Sequence, residues 1–230
     1  MSVSTSVPPR SRIIYPEDDG QPMAENTLQF QWIVTIKEGL DRAFRDRSDV
    51  FVAGDLLWYP VEGEPEIRQA PDTMVVFGRP KGYRGSYMQW LEAGIAPQVV
   101  FEVLSPGNRP SNMIKKFQFY DRYGVQEYYI YDLDSFLLEG WMRVDDQLNE
   151  IAQMDGWVSP LLGVRFDMSQ GELRLFDAAG RRFLTYAELA EERDQITQER
   201  DQIIQERDRI AQERDELLAK LKSLGVEPQP

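Results

Sequence analysis

Two acidic residues that lie in or next to apolar strand sequences carry the chemistry of this sequence. Asp72 follows Pro71 and opens the apolar run TMVVF, and Glu102 lies inside VVFEVL. An ionised carboxylate in an apolar strand is costly without a partner or a cation. Two such groups on neighbouring strands could hold one divalent ion, which activates water and offsets charge at phosphorus. The sequence therefore predicts a site for phosphodiester hydrolysis, although an Asp after Pro is also common in turns and Glu102 alone could be a structural acid.

A lysine near such an ion would complete the site, and two adjacent lysines are available in a segment with helical periodicity. When Met113 is set at zero on a helical wheel, Lys116 falls near about 300°, at the edge of the apolar face, and Lys115 near about 200°. We therefore expect Lys116 to approach the carboxylates and Lys115 to point to solvent. The alternative is that Lys116 only lays its aliphatic stem on the core.

The composition excludes several chemistries. The chain of 230 residues has no histidine and no cysteine, which excludes imidazole acid–base catalysis, disulfides and thiolate zinc sites. An oxygen-only ligand set favours Mg²⁺ or Mn²⁺. The net charge of −13, of which −5 comes from the sequence after residue 186, opposes tight binding to nucleic acid. With no apolar run of membrane-spanning length and no secretory signal, the sequence predicts a cytoplasmic protein without a membrane contact.

Apolar periodicity predicts the elements that would position these residues. Helical spacing indicates helices over about residues 25–47 and 111–123. Short apolar runs predict one strand or a pair of strands over residues 50–61, and single strands at residues 73–77, 99–104, 127–132 and 136–142, with further strands between 148 and 176. Strands separated by helices indicate an α/β fold with a mixed central sheet flanked by helices. Residues 1–12 are predicted to be a disordered lead-in, residues 13–186 the domain, residues 187–224 a separate helix and residues 225–230 a disordered tail.

The separate helix is predicted from an internal repeat of seven residues. ERDQITQ, ERDQIIQ, ERDRIAQ and ERDELLA follow one another from residue 192, so that Ile196, Ile203, Ile210 and Leu217 are spaced by seven. The natural partner column consists of arginines, which makes a weak coiled-coil seam. We expect a coiled-coil-like helix through which the chain forms a homo-oligomer or meets a partner. A solvated helix with Glu–Arg pairs along its own surface is the alternative.

Several motifs together resemble a known family. The first is DGQPMAEN, which starts at Asp19 and ends with Glu25 and Asn26. The others are Pro71-Asp72, the FGRPKG run from Phe77, FEVLSP from Phe101, Lys116, Tyr120 and GVQEYY from Gly124. This series, which spans roughly residues 13–186, is similar to the Uma-two family of restriction-endonuclease-like proteins in the PD-(D/E)XK superfamily, in its cyanobacterial type. The resemblance implies the restriction-endonuclease-like fold.

The resemblance also implies roles for individual residues. Asp72 would be the acid of the PD element and Glu102 the second metal ligand. The superfamily lysine would stand two residues after Glu102, where this chain has Leu104, and in this branch Lys116 would replace it from the following helix. Glu25 would be an accessory acid near the metal, or an acid placed at a helix N-terminus by the helix dipole.

The predicted function is therefore a Mg²⁺- or Mn²⁺-dependent endonuclease that acts on nucleic acid, with DNA as the expected substrate. A family departure at Asn112, where many relatives carry an acid, would weaken a second metal site or simply cap the helix. The alternative function is a catalytically inactive nuclease-like fold that serves as a binding or assembly module. Its support is the acidic domain and the absence of the lysine at Leu104.

Overall fold

The computed structural model of the chain describes residues 13–18, 20, 22–107 and 110–224. The predicted disordered segments at residues 1–12 and 225–230 lie outside the described residues. The chain divides into two compact units, one that ends at Phe183 and one that begins at Leu184, and each unit is described by itself.

The first unit is built around a six-stranded mixed sheet. Its strands are β1 (Val50–Gly54), β3 (Thr73–Phe77), β5 (Val99–Leu104), β6 (Glu127–Asp132), β7 (Leu138–Val144) and β8 (Gln147–Glu150), in the order β1-β3-β5-β6-β7-β8. Within this six-stranded sheet the β5–β6 pair is parallel, and the other four neighbouring pairs are antiparallel. Two small sheets pair β2 (Trp58–Tyr59) with β4 (Tyr87–Met88) and β9 (Arg165–Asp167) with β10 (Arg174–Phe176). A short 3-10 helix covers Gln89–Leu91.

Two helices pack on opposite faces of the central sheet. Helix α1 (Thr27–Ala43) buries Ile33, Ile36 and Leu40 in one apolar cluster, which also contains residues of β1, β3 and β5. Helix α2 (Pro110–Arg122) buries Tyr120 in a second cluster, together with the strand residues that alternate with those of the first. This alternation is the two-residue period of a strand with both faces covered. The predicted α/β fold with a mixed central sheet and flanking helices is confirmed.

Element boundaries differ from the predictions where local backbone chemistry intervenes. The strands at residues 73–77, 99–104 and 127–132 are as predicted. The first helix begins two residues later than predicted because Asn26 caps it, accepting a hydrogen bond from the backbone N of Gln29 at 2.8 Å, and it ends at Ala43, about four residues earlier than predicted. Of the two readings of residues 50–61, the pair of strands is the one found, as β1 and β2, because Asp55 adopts a left-handed φ of 46° after β1. Phe136, with a φ of 54°, likewise lies in a turn, so that β7 begins two residues later than predicted.

The second unit contains one long helix, α3 (Tyr186–Ser223). Thr185 and Glu188 form a capping box at its start, which satisfies backbone donors of the first turn. No side chain of this helix is buried, and its isoleucines are among the most exposed apolar groups of the chain. Among the described residues, no helix combines the length and apolar character needed to cross a membrane.

Candidate metal centre

Asp72 immediately precedes β3, and Glu102 lies in the antiparallel neighbour β5. Thr73 pairs with Phe101 and Met74 with Val100, and the same register places Asp72 opposite Glu102. Both side chains are buried, with exposed fractions of 9% and 2%. Cross-strand neighbours project from the same face of a sheet. The two carboxylates therefore share the face of the sheet that α2 covers, and their role as one metal site stays a prediction.

Glu102 is held at both carboxylate oxygens by side chains of α2. The Lys116 ammonium donates to Oε2 at 2.6 Å, and the Tyr120 hydroxyl donates to Oε1 at 2.5 Å. Residues four apart lie on one face of a helix, so α2 presents both donors together. Lys115 is exposed. The orientation that the helical wheel predicted for the two lysines is therefore confirmed, while the catalytic role of Lys116 stays a prediction.

Asp72 is positioned by a backbone N–H, and its surroundings disfavour its ionised form. Its Oδ2 accepts a hydrogen bond from the Val103 backbone N at 2.7 Å. Burial and, next, the negative charge of Glu102 raise the pKa of Asp72 well above its usual range, against the opposing charge of Lys116. Asp55 adds a smaller contribution of the same sign as Glu102. Two buried carboxylates with one ammonium therefore leave this site short of positive charge.

Lys116 stays protonated in this environment. Burial lowers the pKa of the Lys116 ammonium, but the negative charges of Glu102 and Asp72 outweigh it and the net direction is upward. A lysine in this state donates hydrogen bonds and does not accept a proton. The geometry therefore favours orientation of a water or phosphate oxygen by Lys116 over proton abstraction.

Glu25 has its described contacts just past the end of β5. The Ser105 hydroxyl donates to its Oε2 at 2.5 Å, and the carboxylate packs so closely on Gly107 that a Cβ there would collide with it. Glu25 lies just before the N-cap of α1. Gln29, in the first turn of α1, accepts from the Glu25 backbone N at 2.8 Å and donates to the Val103 carbonyl oxygen at 2.7 Å. The described contacts of Glu25 do not include either member of the pair, and its accessory role stays a prediction.

The donor set at the pair suits a hard divalent cation. Carboxylate oxygens are the ligands of Mg²⁺ and Mn²⁺, and burial, followed by the charge of Glu102, raises the pKa of Asp72 and so disfavours its ionised form in the absence of a cation. Within the described ranges, no group of three or more acidic side chains is arranged to hold a metal ion. A cation at Asp72 and Glu102 would therefore keep several water ligands, as Mg²⁺ usually does.

Comparison with known proteins identifies the family. The sequence model of the family described as "Uma2: Putative restriction endonuclease" matches residues 12–173. The chain belongs to the Uma2 family. A crystal structure of a "putative nuclease belonging to DUF820" from Anabaena variabilis is similar to this Uma2 chain at 15% identity and a TM-score of 0.45, covering 63% of this chain and 79% of the other. No curated protein matches the chain.

Two features of the site in this Uma2 protein were not predicted as site features. Tyr120 was named as part of the family motifs but was given no contact with Glu102, although its spacing of four from Lys116 was a usable signal. Asp55 was given no role within the predicted segment 50–61, whereas its backbone N donates to the carbonyl oxygens of Pro71 and Asp72 at 3.1 and 3.3 Å. No sequence pattern marks that turn. Leu104, at the usual lysine position, packs on the apolar cluster around Tyr120.

Proposed function

We propose that this Uma2 protein is a Mg²⁺- or Mn²⁺-dependent endonuclease that hydrolyses phosphodiester bonds of DNA. Asp72 and Glu102 would hold the cation, and Lys116 would position the attacking water. The observation that carries this proposal is the buried cross-strand pair of carboxylates with a protonated lysine against it. Membership of a family described as putative restriction endonucleases supports the same reaction class.

The side chains divide the work of the proposed reaction. A divalent cation, when bound, supplies Lewis-acid polarisation of the phosphate and of water. Tyr120 fixes one oxygen of Glu102 through its hydroxyl, so that the carboxylate keeps one orientation. The Val103 backbone N does the same for Asp72. Lys116 holds its proton and directs hydrogen bonds at the oxygen atoms that react or develop charge.

The decisive experiment compares two carboxylate-to-amide variants on one face of the sheet. Glu102→Gln removes a proposed ligand, and Glu139→Gln removes a charge two strands away, where Glu139 pairs with Ile130 and Ile130 with Glu102. Supercoiled and single-stranded DNA are incubated with each protein and Mg²⁺ or Mn²⁺. We expect metal-dependent cleavage by the wild type and by Glu139→Gln, and none by Glu102→Gln. Equal cleavage by the wild type and Glu102→Gln would refute the assignment of the site.

The rival function is a nuclease-like module that binds without cleaving. Two observations favour it: Leu104 occupies the usual lysine position, and the chain carries a net charge of −13. The same DNA substrates distinguish the two functions. Salt-sensitive DNA binding with no turnover in either metal would support the binding module and refute the endonuclease.

We also propose that α3 joins two or more copies of the chain. Its apolar residues at seven-residue spacing, Ile196, Ile203, Ile210 and Leu217, are all more than half exposed. Isolated exposed apolar side chains are common, but a regular column along one helix is the pattern of a coiled-coil contact. Sedimentation velocity over a range of concentrations tests this, and a monomer at every concentration would refute it.

A further inference from the structure

One buried hydroxyl on the face of the carboxylate pair has no hydrogen-bond partner within the part of the chain that the structure describes. The Tyr128 side chain is 0% exposed, and its hydroxyl finds no hydrogen-bond partner among the described residues. Buried hydroxyl groups are nearly always hydrogen-bonded, because an unpaired one loses its contacts with water and gains nothing. Only one other buried hydroxyl of the described residues is in the same state, that of Thr73. Their positions on the sheet show which of the two hydroxyls lies on the same face as the carboxylate pair.

The Tyr128 side chain lies on the face of the sheet that carries the pair. Tyr128 pairs with Val100 and Ile130 pairs with Glu102, so Tyr128 is one pleat from Glu102 on the neighbouring strand. After burial, the charges of Glu102 and Asp72, and then of Glu139, raise the pKa of Tyr128 well above its usual range. Glu102 and Glu139 both lie opposite Ile130, two residues along β6 from Tyr128. The phenol therefore keeps its proton and can act as a donor on the face of the sheet that carries the pair.

The ring of Tyr128 is fixed by its neighbours. Its centroid lies 5.1 Å from that of Tyr120, 5.4 Å from that of Trp141 and 6.1 Å from that of Phe117. Tyr120 is the residue whose hydroxyl binds Glu102. A ring packed on three sides has no room to turn its hydroxyl to another partner. Thr73, by contrast, alternates with Met74 and so faces the cluster beneath α1.

We propose that Tyr128 is a positioning residue of this site, whose hydroxyl hydrogen-bonds a water molecule held with the cation at Asp72 and Glu102. This inference rests on the proposed metal-dependent function. Two carboxylates leave most of the coordination positions of Mg²⁺ or Mn²⁺ to water. Such waters keep their positions through hydrogen bonds to the protein, and Tyr128 offers an otherwise unused donor or acceptor.

The test uses the full chain with Tyr128→Phe, which removes the hydroxyl and keeps the ring. Two quantities are measured: the urea midpoint without metal, and the Mn²⁺ dissociation constant by titration calorimetry. We expect an unchanged or higher midpoint, because an unpaired buried hydroxyl is removed, together with Mn²⁺ binding about three- to tenfold weaker. Thr73→Val is the matched control. It removes the other unpaired hydroxyl from the opposite face and should leave Mn²⁺ affinity unchanged.

Each remaining outcome has a definite meaning. Equal Mn²⁺ affinity in Tyr128→Phe and the wild type would overturn the role of Tyr128 and leave the proposed metal site standing. A lower midpoint with unchanged affinity would also overturn it and would show that the hydroxyl serves the fold alone. Failure of the wild type itself to bind Mn²⁺ would overturn both this inference and the metal-dependent function.

Discussion

The central sheet and helix α3 each place side chains where their chemistry disfavours them, in opposite ways. The sheet buries two carboxylates, of which Glu102 is only 2% exposed. Helix α3 does the reverse, since Ile203 is 70% and Ile196 58% exposed. In both regions the departure is visible in the sequence, as acids beside or within apolar runs and as isoleucines in a charged repeat.

The two regions differ in how far contacts within the chain offset the free-energy cost of these placements, which is burial of charge in the sheet and exposure of apolar side chains in α3. Glu102 is hydrogen-bonded by Lys116 and Tyr120, and Asp72 by a backbone N–H. What the site still lacks is positive charge, which a small ion can supply. The side chains of the isoleucine column are exposed, and the proposed contact between copies of the chain would cover them. A buried polar site thus predicts a ligand, whereas an exposed apolar column predicts a partner.

The largest expected effect comes from removing the charge of Asp72. Asp72→Asn can still accept the hydrogen bond from the Val103 backbone N, but it is a poor ligand for Mg²⁺. We expect DNA cleavage to fall by about 10³-fold or more. The metal-free protein should at the same time become more stable by roughly 1–2 kcal/mol, because a repelled buried charge is gone. Cleavage rates and urea unfolding in EDTA measure the two effects, and a loss of stability would contradict this account.

The same variant predicts a pH dependence with a definite sign. The folded state raises the pKa of Asp72 above its value of 3.8 in a free chain, so in the window between them the folded protein binds more protons than the unfolded one. The contribution of Asp72 to stability therefore falls as pH rises through that window. The difference in unfolding free energy between Asp72→Asn and the wild type, measured in EDTA from pH 4 upward, should grow with pH. A difference that shrinks would reverse the assigned cause.

The next effect tests Lys116 as a competitor of the cation and a partner of the substrate. Lys116→Gln should lower cleavage by about 10²-fold. At pH 8 it should also tighten Mn²⁺ binding severalfold, since an ammonium that occupies Glu102 is removed. Lys115→Gln is the control, because Lys115 is exposed on the same helix. Parallel losses of activity and Mn²⁺ affinity in Lys116→Gln would show that the lysine supports the cation instead of competing with it.

The sequence predicted the pair and the lysine because each violates a regular pattern. Asp72 and Glu102 interrupt apolar strands, and the helical period separates Lys116 from Lys115. Tyr120 violates no pattern, since a tyrosine on an apolar helix face is ordinary, and only the packing of α2 on β5 brings its hydroxyl to Glu102. Asp55 was missed for a different reason. Its position depends on a left-handed backbone between two short strands, which neither composition nor periodicity specifies.

A smaller effect, on assembly alone, is expected in α3. Ile203→Asp places a charge in the centre of the exposed column, and it should weaken self-association at least about tenfold. Gln205→Asp adds the same charge to the same helix outside the column and should change little. Sedimentation velocity measures both. Equal weakening by the two variants would show that total charge, and not the isoleucine column, controls association.

The last expected effect concerns stability alone, and it tests whether buried polar groups of the first unit are satisfied internally. Gln29 is buried in α1 and joins the Glu25 backbone N to the Val103 carbonyl oxygen, and so ties the helix to β5 beside Glu102. Gln29→Leu leaves both backbone groups without this partner and should cost about 1–3 kcal/mol of stability. Gln31→Leu, at an exposed position of the same helix, should cost much less. Urea unfolding compares them. If the two variants lose equal stability, the α1–β5 link is not what holds this strand end, and the contrast between an internally satisfied sheet and an unsatisfied helix is weaker than the contacts indicate.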